Sequence, residues 1–170
     1  LDLGTGSGCV LISVLANAVG LRGLGVDISA GALRLARLNA HRHKVRGRIG
    51  LQQGSWFSPV RGRFDVIMSN PPYIARGEIG NLAVEVRDHD PRQALDGGLD
   101  GLDAYHHICR TASDYLEIGG HLVMEVGHSQ AQEVSDLMRT EGFQNLSFDT
   151  DLEARTRVVR GQIKKTKKGV

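Results

Sequence analysis

Three glycines at alternate positions, in Asp2-Leu3-Gly4-Thr5-Gly6-Ser7-Gly8, constrain this chain more than any other feature. They follow an apolar strand end at Leu1 and Leu3 and precede an apolar helical stretch over residues 8–18. Glycine tolerates positive φ and lets a ligand come close to the backbone. Such a loop joins a buried strand to a helix and leaves the first N–H groups of that helix free.

The rest of the chain continues the alternation. Val10, Leu11, Val14, Leu15 and Ala18 are predicted to share the inward face of the first helix. Residues 21–27 form a second strand ending on Asp27. Ser29 caps a helix running to about residue 43, with Leu33, Ala36 and Ala40 inward and Arg34, Arg37 and Arg42 outward. A third strand covers 48–53. Residues 64–69 are a continuous apolar run, as expected of a strand buried on both faces. A helix over 102–116, stopped by Gly119-Gly120, leads to a strand over 121–126 and a helix over 129–140, with Ala131, Val134, Leu137 and Met138 inward. Two last strands, 143–149 and 156–160, are joined by a short polar turn and pair antiparallel. This order predicts an α/β fold: a mostly parallel sheet, helices on both faces, and a C-terminal antiparallel hairpin. Residues 74–100 are Gly- and Asp-rich with weak periodicity, and are predicted to be a long loop or flap.

The 170 residues suit one domain, assigned to 1–163, with a basic tail at 164–170 read as a solvated, frayed terminus. Leu1-Asp2-Leu3 starts inside a buried strand with no Met before it, so the chain is expected to be a fragment lacking its N-terminal part. Cys9 and Cys109 have no CxxC spacing, which excludes a zinc site or disulfide framework and suits a reducing cytoplasm. No signal peptide or 18-residue apolar run predicts a membrane segment. The seven histidines show no ligand spacing, and no metal is expected. The formal charge is +2, and the lysines at 164, 165, 167 and 168 account for more than that excess. The body therefore has no strong field for nucleic acid.

The spacing GxGxG leaves fewer amides for a pyrophosphate than GxGxxG does. The carboxylate of Asp2, just before the loop, repels an anion but suits a cation. S-adenosylmethionine, with an ammonium and a sulfonium, is therefore the expected cofactor. Gly4, Thr5, Gly6, Ser7 and Gly8 would cradle it, with Asp2 at its amino-acid end. Asp27 is placed to accept both ribose hydroxyls, and is otherwise a helix cap. Trp56 supplies a flat wall for adenine, or is otherwise a core tryptophan.

Ser69-Asn70-Pro71-Pro72-Tyr73 follows the fourth strand, at the sheet edge where ligands bind in such folds. Two prolines hold the backbone extended and remove two N–H donors. The Asn70 side-chain oxygen and the Pro71 carbonyl are then two acceptors for the N–H protons of a planar amide or amine. Tyr73 packs on the planar face. An Asn-Pro pair also starts ordinary turns, but here it is in register with the glycine loop and Asp27.

With these motifs in hand, the chain resembles the release-factor glutamine methyltransferases (the PrmC/HemK family). The resemblance rests on the glycine loop, Val26-Asp27-Ile28-Ser29, Trp56-Phe57 and Ser69 to Ile74. It continues through Pro91 to Gly98 and Asp100-Gly101-Leu102, and closes on Arg157 to Gly161. It implies a Rossmann-like class I methyltransferase fold and methyl transfer from S-adenosylmethionine to a side-chain amide nitrogen. The substrate would be the Gln of the Gly-Gly-Gln motif in class 1 peptide-chain release factors. It also implies that Gly4 to Gly8, Asp27, Trp56 and Asn70 touch the cofactor, while Asn70, Pro71, Pro72 and Tyr73 hold the glutamine. Ser55 stands where many members carry an acidic residue, and the N-terminal helical domain of the family is not in this sequence. A cytoplasmic monomer is expected.

Three other readings share these motifs: a ribosomal-protein glutamine methyltransferase, a nucleic-acid adenine-N6 methyltransferase, and a cofactor-binding fragment without turnover. Against the adenine reading, residues 74–103 hold seven acidic residues and three arginines. A surface meeting phosphates should be basic.

Overall fold

The computed structural model describes residues 1–89 and 91–164. Seven strands form one sheet: β1 (Asp2–Leu3), β2 (Gly23–Asp27), β3 (Ile49–Gln53), β4 (Phe64–Ser69), β5 (Leu116–Glu125), β6 (Phe143–Thr150) and β7 (Thr156–Ile163). Their spatial order is β3-β2-β1-β4-β5-β7-β6. The first five run parallel, and β7 lies antiparallel to both β5 and β6. The expected mostly parallel sheet with a C-terminal antiparallel hairpin is present.

Helices cover both faces. On one side α1 (Cys9–Asn17) and α2 (Ala30–Arg42) enclose a small core of Leu11, Ile12, Leu15, Ala40 and Val45. Opposite, a larger core takes Tyr105 and Ile108, then Val134 and Met138, against strand residues such as Leu3, Ile67 and Leu122. The helices α3 (Val84–His89) and α4 (Arg92–Leu95) are short, and α5 (Asp103–Ala112) and α6 (Ala131–Thr140) carry the packing of this larger core. Ser29 caps α2 as expected, its hydroxyl accepting from Ala32 N–H at 3.2 Å.

Several sequence expectations need correction. In α1 the buried residues are Leu11, Ile12 and Leu15, while Val10 and Val14 are 46% and 40% exposed. The helix is apolar around most of its circumference, so periodicity alone does not choose a face. The choice is made at Gly8, where an added Cβ would lie 2.6 Å from Ile12 Cδ1, so Ile12 packs down onto the loop. Strand β4 is not buried on both faces: Asp65 and Val66 are exposed, alongside a β1 of only two residues. Gly119-Gly120 does not stop α5, which ends at Ala112; β5 runs through both glycines. A Cβ on Gly120 would meet the Asp65 carbonyl at 3.0 Å, so this glycine lets β5 approach β4 where the register shifts.

The stretch read as a long loop or flap, residues 74–100, carries backbone pairing among its described residues. Ile74 bridges to Asp96, with Ile74 N–H to the Leu95 carbonyl at 3.0 Å and Gly97 N–H to the Ile74 carbonyl at 2.9 Å. The weak periodicity reflects short helical turns, Ile79–Asn81, α3 and α4, held by backbone hydrogen bonds rather than by an apolar stripe. In the predicted basic tail only Lys164 is among the described residues. No helix among the described residues is long and apolar enough to cross a membrane.

Candidate active site

The parallel strands β1, β2, β3 and β4 end on one edge, and each delivers one part of the site. The loop after β1 turns through three left-handed glycines, with φ of 69° at Gly4, 55° at Gly6 and 81° at Gly8. A side chain would strain all three. Thr5 N–H bonds the Val26 carbonyl at 2.9 Å, and Gly8 N–H returns to the Thr5 carbonyl at 2.8 Å. The loop is thus pinned to β2 before α1 begins. Gly4 is exposed and Gly6 and Ser7 are half-buried, whereas Thr5 and Gly8 are buried. The open surface of the cradle is therefore Gly4, Gly6 and Ser7, with Thr5 and Gly8 as its supports.

Asp2 lies below this cradle, 3% exposed, with Oδ2 accepting the Thr5 hydroxyl at 2.6 Å. Burial pushes its carboxyl up to about 6, against the lowering effect of the Thr5 bond. It has no open face toward the cradle and is linked to it through Thr5.

Asp27 ends β2 and ties the loop down. Its Oδ2 accepts Gly6 N–H and its Oδ1 accepts Ser29 N–H, each at 2.8 Å. The sequence weighed ribose binding against helix capping. The structure adds a third task, a cross-link between the glycine loop and the turn into α2. Each oxygen keeps a further lone pair for a ligand hydroxyl.

After β3 the chain turns at Gly54, whose N–H bonds the Asp27 carbonyl at 3.0 Å. Trp56 follows at φ 47°, a left-handed conformation that a bulky residue adopts only when its surroundings enforce it. Its ring comes 4.0 Å from where a Cβ on Gly4 would stand, so it walls the glycine loop. It also packs against the larger core, so both readings of this tryptophan describe it in part. His107 on α5 faces it, ring centroids 6.2 Å apart, a neighbour that sequence spacing gave no reason to expect.

Asn70 follows β4 beside Gly4, because Leu3 pairs with Ser69 one residue earlier. The Ser69 hydroxyl donates to the Leu3 carbonyl at 2.8 Å and locks the two strand ends together. Asn70 is exposed, Pro71 is buried, and Pro72 and Tyr73 are half-buried. Among the described residues, neither the Asn70 side chain nor the Pro71 carbonyl has a hydrogen-bond partner. The Tyr73 carbonyl is taken by the side chain of Gln130 at 3.0 Å. Sequence reasoning passed over Gln130, which looks like an ordinary polar residue at a helix start.

Behind this loop, Arg76 pairs with Asp96 at 3.0 Å. The Gly98 N–H and then Arg76 hold the Asp96 carboxyl below its usual range. No group of three or more His, Cys, Asp or Glu among the described residues is placed to hold a metal ion. The arrangement offers a glycine cradle, a carboxylate, an aromatic wall and, next to them, two uncommitted acceptors.

A family model described as "Methyltransferase small domain" matches residues 1–98. The chain is 42% identical over 163 residues to a release factor glutamine methyltransferase of Cereibacter sphaeroides, covering 96% of this chain and 59% of that protein. It is 43% identical over 157 residues to a protein of the same name from Rhodospirillum rubrum, covering 92% and 48%. The chain thus spans about half the length of the curated relatives it matches. Among solved structures, a methyltransferase of Pyrococcus furiosus superposes with a TM-score of 0.70 at 16% identity, covering 95% of this chain and 72% of that one. That likeness is one of fold, and it is the Rossmann-like class I methyltransferase arrangement expected from the sequence.

Proposed function

The chain belongs to the methyltransferase small domain family, and from this premise we propose that it methylates the side-chain amide nitrogen of a glutamine in peptide-chain release factors. The glutamine is the one in their Gly-Gly-Gln motif, and the enzyme acts as a cytoplasmic monomer with S-adenosylmethionine as methyl donor. The names of the relatives from Cereibacter sphaeroides and Rhodospirillum rubrum support the substrate. The observation that carries the chemistry is the pair of uncommitted acceptors, Asn70 and Pro71, held beside the glycine loop.

The residues present fit the cofactor. The glycine cradle leaves open space above Gly6, where an added Cβ would meet nothing within 4 Å. Gly4, Gly6 and Ser7 would carry the amino-acid end, Asp27 the ribose hydroxyls, and Trp56 the adenine. When bound, S-adenosylmethionine supplies an activated methyl on its sulfonium. The protein's task is the nucleophile. An amide nitrogen is weak because its lone pair is delocalised into the carbonyl. The Asn70 oxygen and the Pro71 carbonyl accept its two N–H bonds, orient the nitrogen, and stabilise positive charge as it builds up. Tyr73 covers the flat face of the amide. Alignment of this kind is worth roughly 7–11 kcal/mol. The cationic product loses a proton to solvent afterwards, so no dedicated base is needed.

Asp2 makes cofactor binding pH-dependent. Its folded-state pKa, about 6, lies above the ordinary 3.8, so the fold prefers the neutral form. That stabilisation is complete below the ordinary value and is lost as pH rises through about 6. A cation above the loop favours the carboxylate instead. Cofactor affinity should therefore rise up to about four-fold between pH ~5.5 and ~7.5, with proton release on binding. Calorimetric titration at both pH values measures this, and Asp2→Asn should flatten the dependence. Equal affinities in the unsubstituted chain would remove Asp2 from the site.

The activity is tested by methyl transfer from labelled S-adenosylmethionine to a purified class 1 release factor. A Gln-to-Ala variant of its Gly-Gly-Gln motif and a DNA duplex serve as comparisons. Label on the unaltered factor alone is the expected result. Label on DNA, or equal label on both factors, overturns the substrate.

A further inference from the structure

We infer that Gln130 is a positioning residue that sets the acceptor loop through the Tyr73 carbonyl; this rests on the reading of that loop given above. Gln130 sits at the turn between β5 and α6 and is 8% exposed. Its amide is fully used. Nε2 donates to the Tyr73 carbonyl at 3.0 Å and to the Gly101 carbonyl at 3.3 Å, while Oε1 accepts Gly127 N–H at 3.2 Å. Two donors meet two carbonyls and the acceptor meets an N–H, so only one orientation of the amide is possible. Turned over, it would set oxygen against two carbonyl oxygens.

Two glycines make room for it. A Cβ on Gly101 would lie 2.3 Å from the Tyr73 carbonyl oxygen and 2.6 Å from Gln130 Nε2. One on Gly127 would lie 2.6 Å from Gln130 Oε1. Three segments distant in sequence therefore close around one side chain: the acceptor loop, the turn before α5, and the end of β5.

The loop needs such an anchor because of its own composition. Pro71 and Pro72 have no N–H, and Asn70 and the Pro71 carbonyl are left uncommitted for a ligand. Among the described residues the segment is held at one end by Ser69 to the Leu3 carbonyl and at the other by Gln130 to the Tyr73 carbonyl, just before the backbone pairing of Ile74 with Leu95 and Gly97. Losing the Tyr73 bond moves the nearest fixed point back to Ile74 and loosens both acceptors, and a displacement near 1 Å can cost about 10²-fold in rate.

The order of two substitutions decides the matter. Gln130→Glu keeps the shape but sets an acceptor against both carbonyls. Gln130→Ala removes the amide without adding a charge. If Gln130 works through its N–H donors, kcat on the release factor falls about 10-fold in Gln130→Ala and about 10²-fold in Gln130→Glu. The KM for the factor and the cofactor Kd stay within about three-fold in both. A space-filling role predicts the reverse order, with Gln130→Glu near the unsubstituted rate, and that result overturns the inference. So does a fall in melting temperature and cofactor affinity that matches the loss of rate. Hydrogen exchange at the Gly127 amide gives a readout independent of substrate. It should quicken in Gln130→Ala, which removes its acceptor, but not in Gln130→Glu, which keeps one; unchanged exchange in Gln130→Ala overturns the inference. If the unsubstituted chain does not methylate a release factor, the substrate reading fails, while exchange and cofactor titration still decide the role of Gln130.

Discussion

Asn70→Ala is expected to abolish measurable methyl transfer while leaving cofactor affinity within a few-fold of the unsubstituted chain. The side chain is exposed and has no partner among the described residues, so its loss should change stability by no more than about 0.5 kcal/mol. What is lost is one of two acceptors aimed at a nitrogen that becomes positive as the methyl arrives. Removing one preorganised hydrogen-bonding group from such a site typically costs about 10²–10³-fold in kcat. Here the remaining acceptor, the Pro71 carbonyl, cannot by itself hold both N–H bonds, so the upper end of that range is expected. Label incorporation into a release factor, read beside a cofactor titration, separates the two effects. Turnover at the unsubstituted rate would remove Asn70 from the chemistry.

Asp27→Ala should have the complementary result: cofactor affinity weakened by at least about 100-fold, or roughly 2.7 kcal/mol. Two contributions add. The ribose hydroxyls lose their acceptor. The cradle also loses its cross-link, because Gly6 N–H and Ser29 N–H both depend on this carboxylate at 2.8 Å. Hydrogen bonds to a charged group are worth about 1.5–3 kcal/mol each, and without them the left-handed turn at Gly6 is free to open. Asp27→Asn keeps one oxygen acceptor and should fall between Asp27→Ala and the unsubstituted chain. Calorimetric titration of S-adenosylmethionine into the three proteins gives the order. An unchanged Kd in Asp27→Ala would sink both the ribose role and the cross-link.

Much of this was legible in the sequence because function here sits at strand ends. A glycine loop, a carboxylate and an Asn-Pro pair each follow an apolar run, and a parallel sheet brings such ends to one edge. Side-chain direction was harder to read. The apolar run of α1 fits two faces equally well, and the contact of Ile12 with Gly8 chooses between them. Gly119-Gly120 imitates a helix stop, since a glycine at a close strand approach and one at a helix end look alike in one dimension. The short turns within residues 74–100 were hidden for a different reason. Their order comes from backbone bonds such as Arg76 N–H to the Gly98 carbonyl, which leave no mark on hydrophobic periodicity. Gln130 was invisible because its role depends on the Tyr73 and Gly101 carbonyls, both far away in the chain. Asp2 was picked out because charge next to a loop is visible in sequence; its burial is not.

Synthesis delivers β6 before β7, yet β6 has no place in the sheet until β7 lies between it and β5. At 5–20 residues per second, the growing chain waits about one to four seconds between the start of β6 and the end of β7. Throughout that interval the flank of β5 that β7 will occupy is an open row of amides and carbonyls. β6 can therefore join only with β7 or after it. A nascent chain stalled before Thr156 would carry its cofactor-binding half complete and its far edge unsealed, and is the species that chaperones would find.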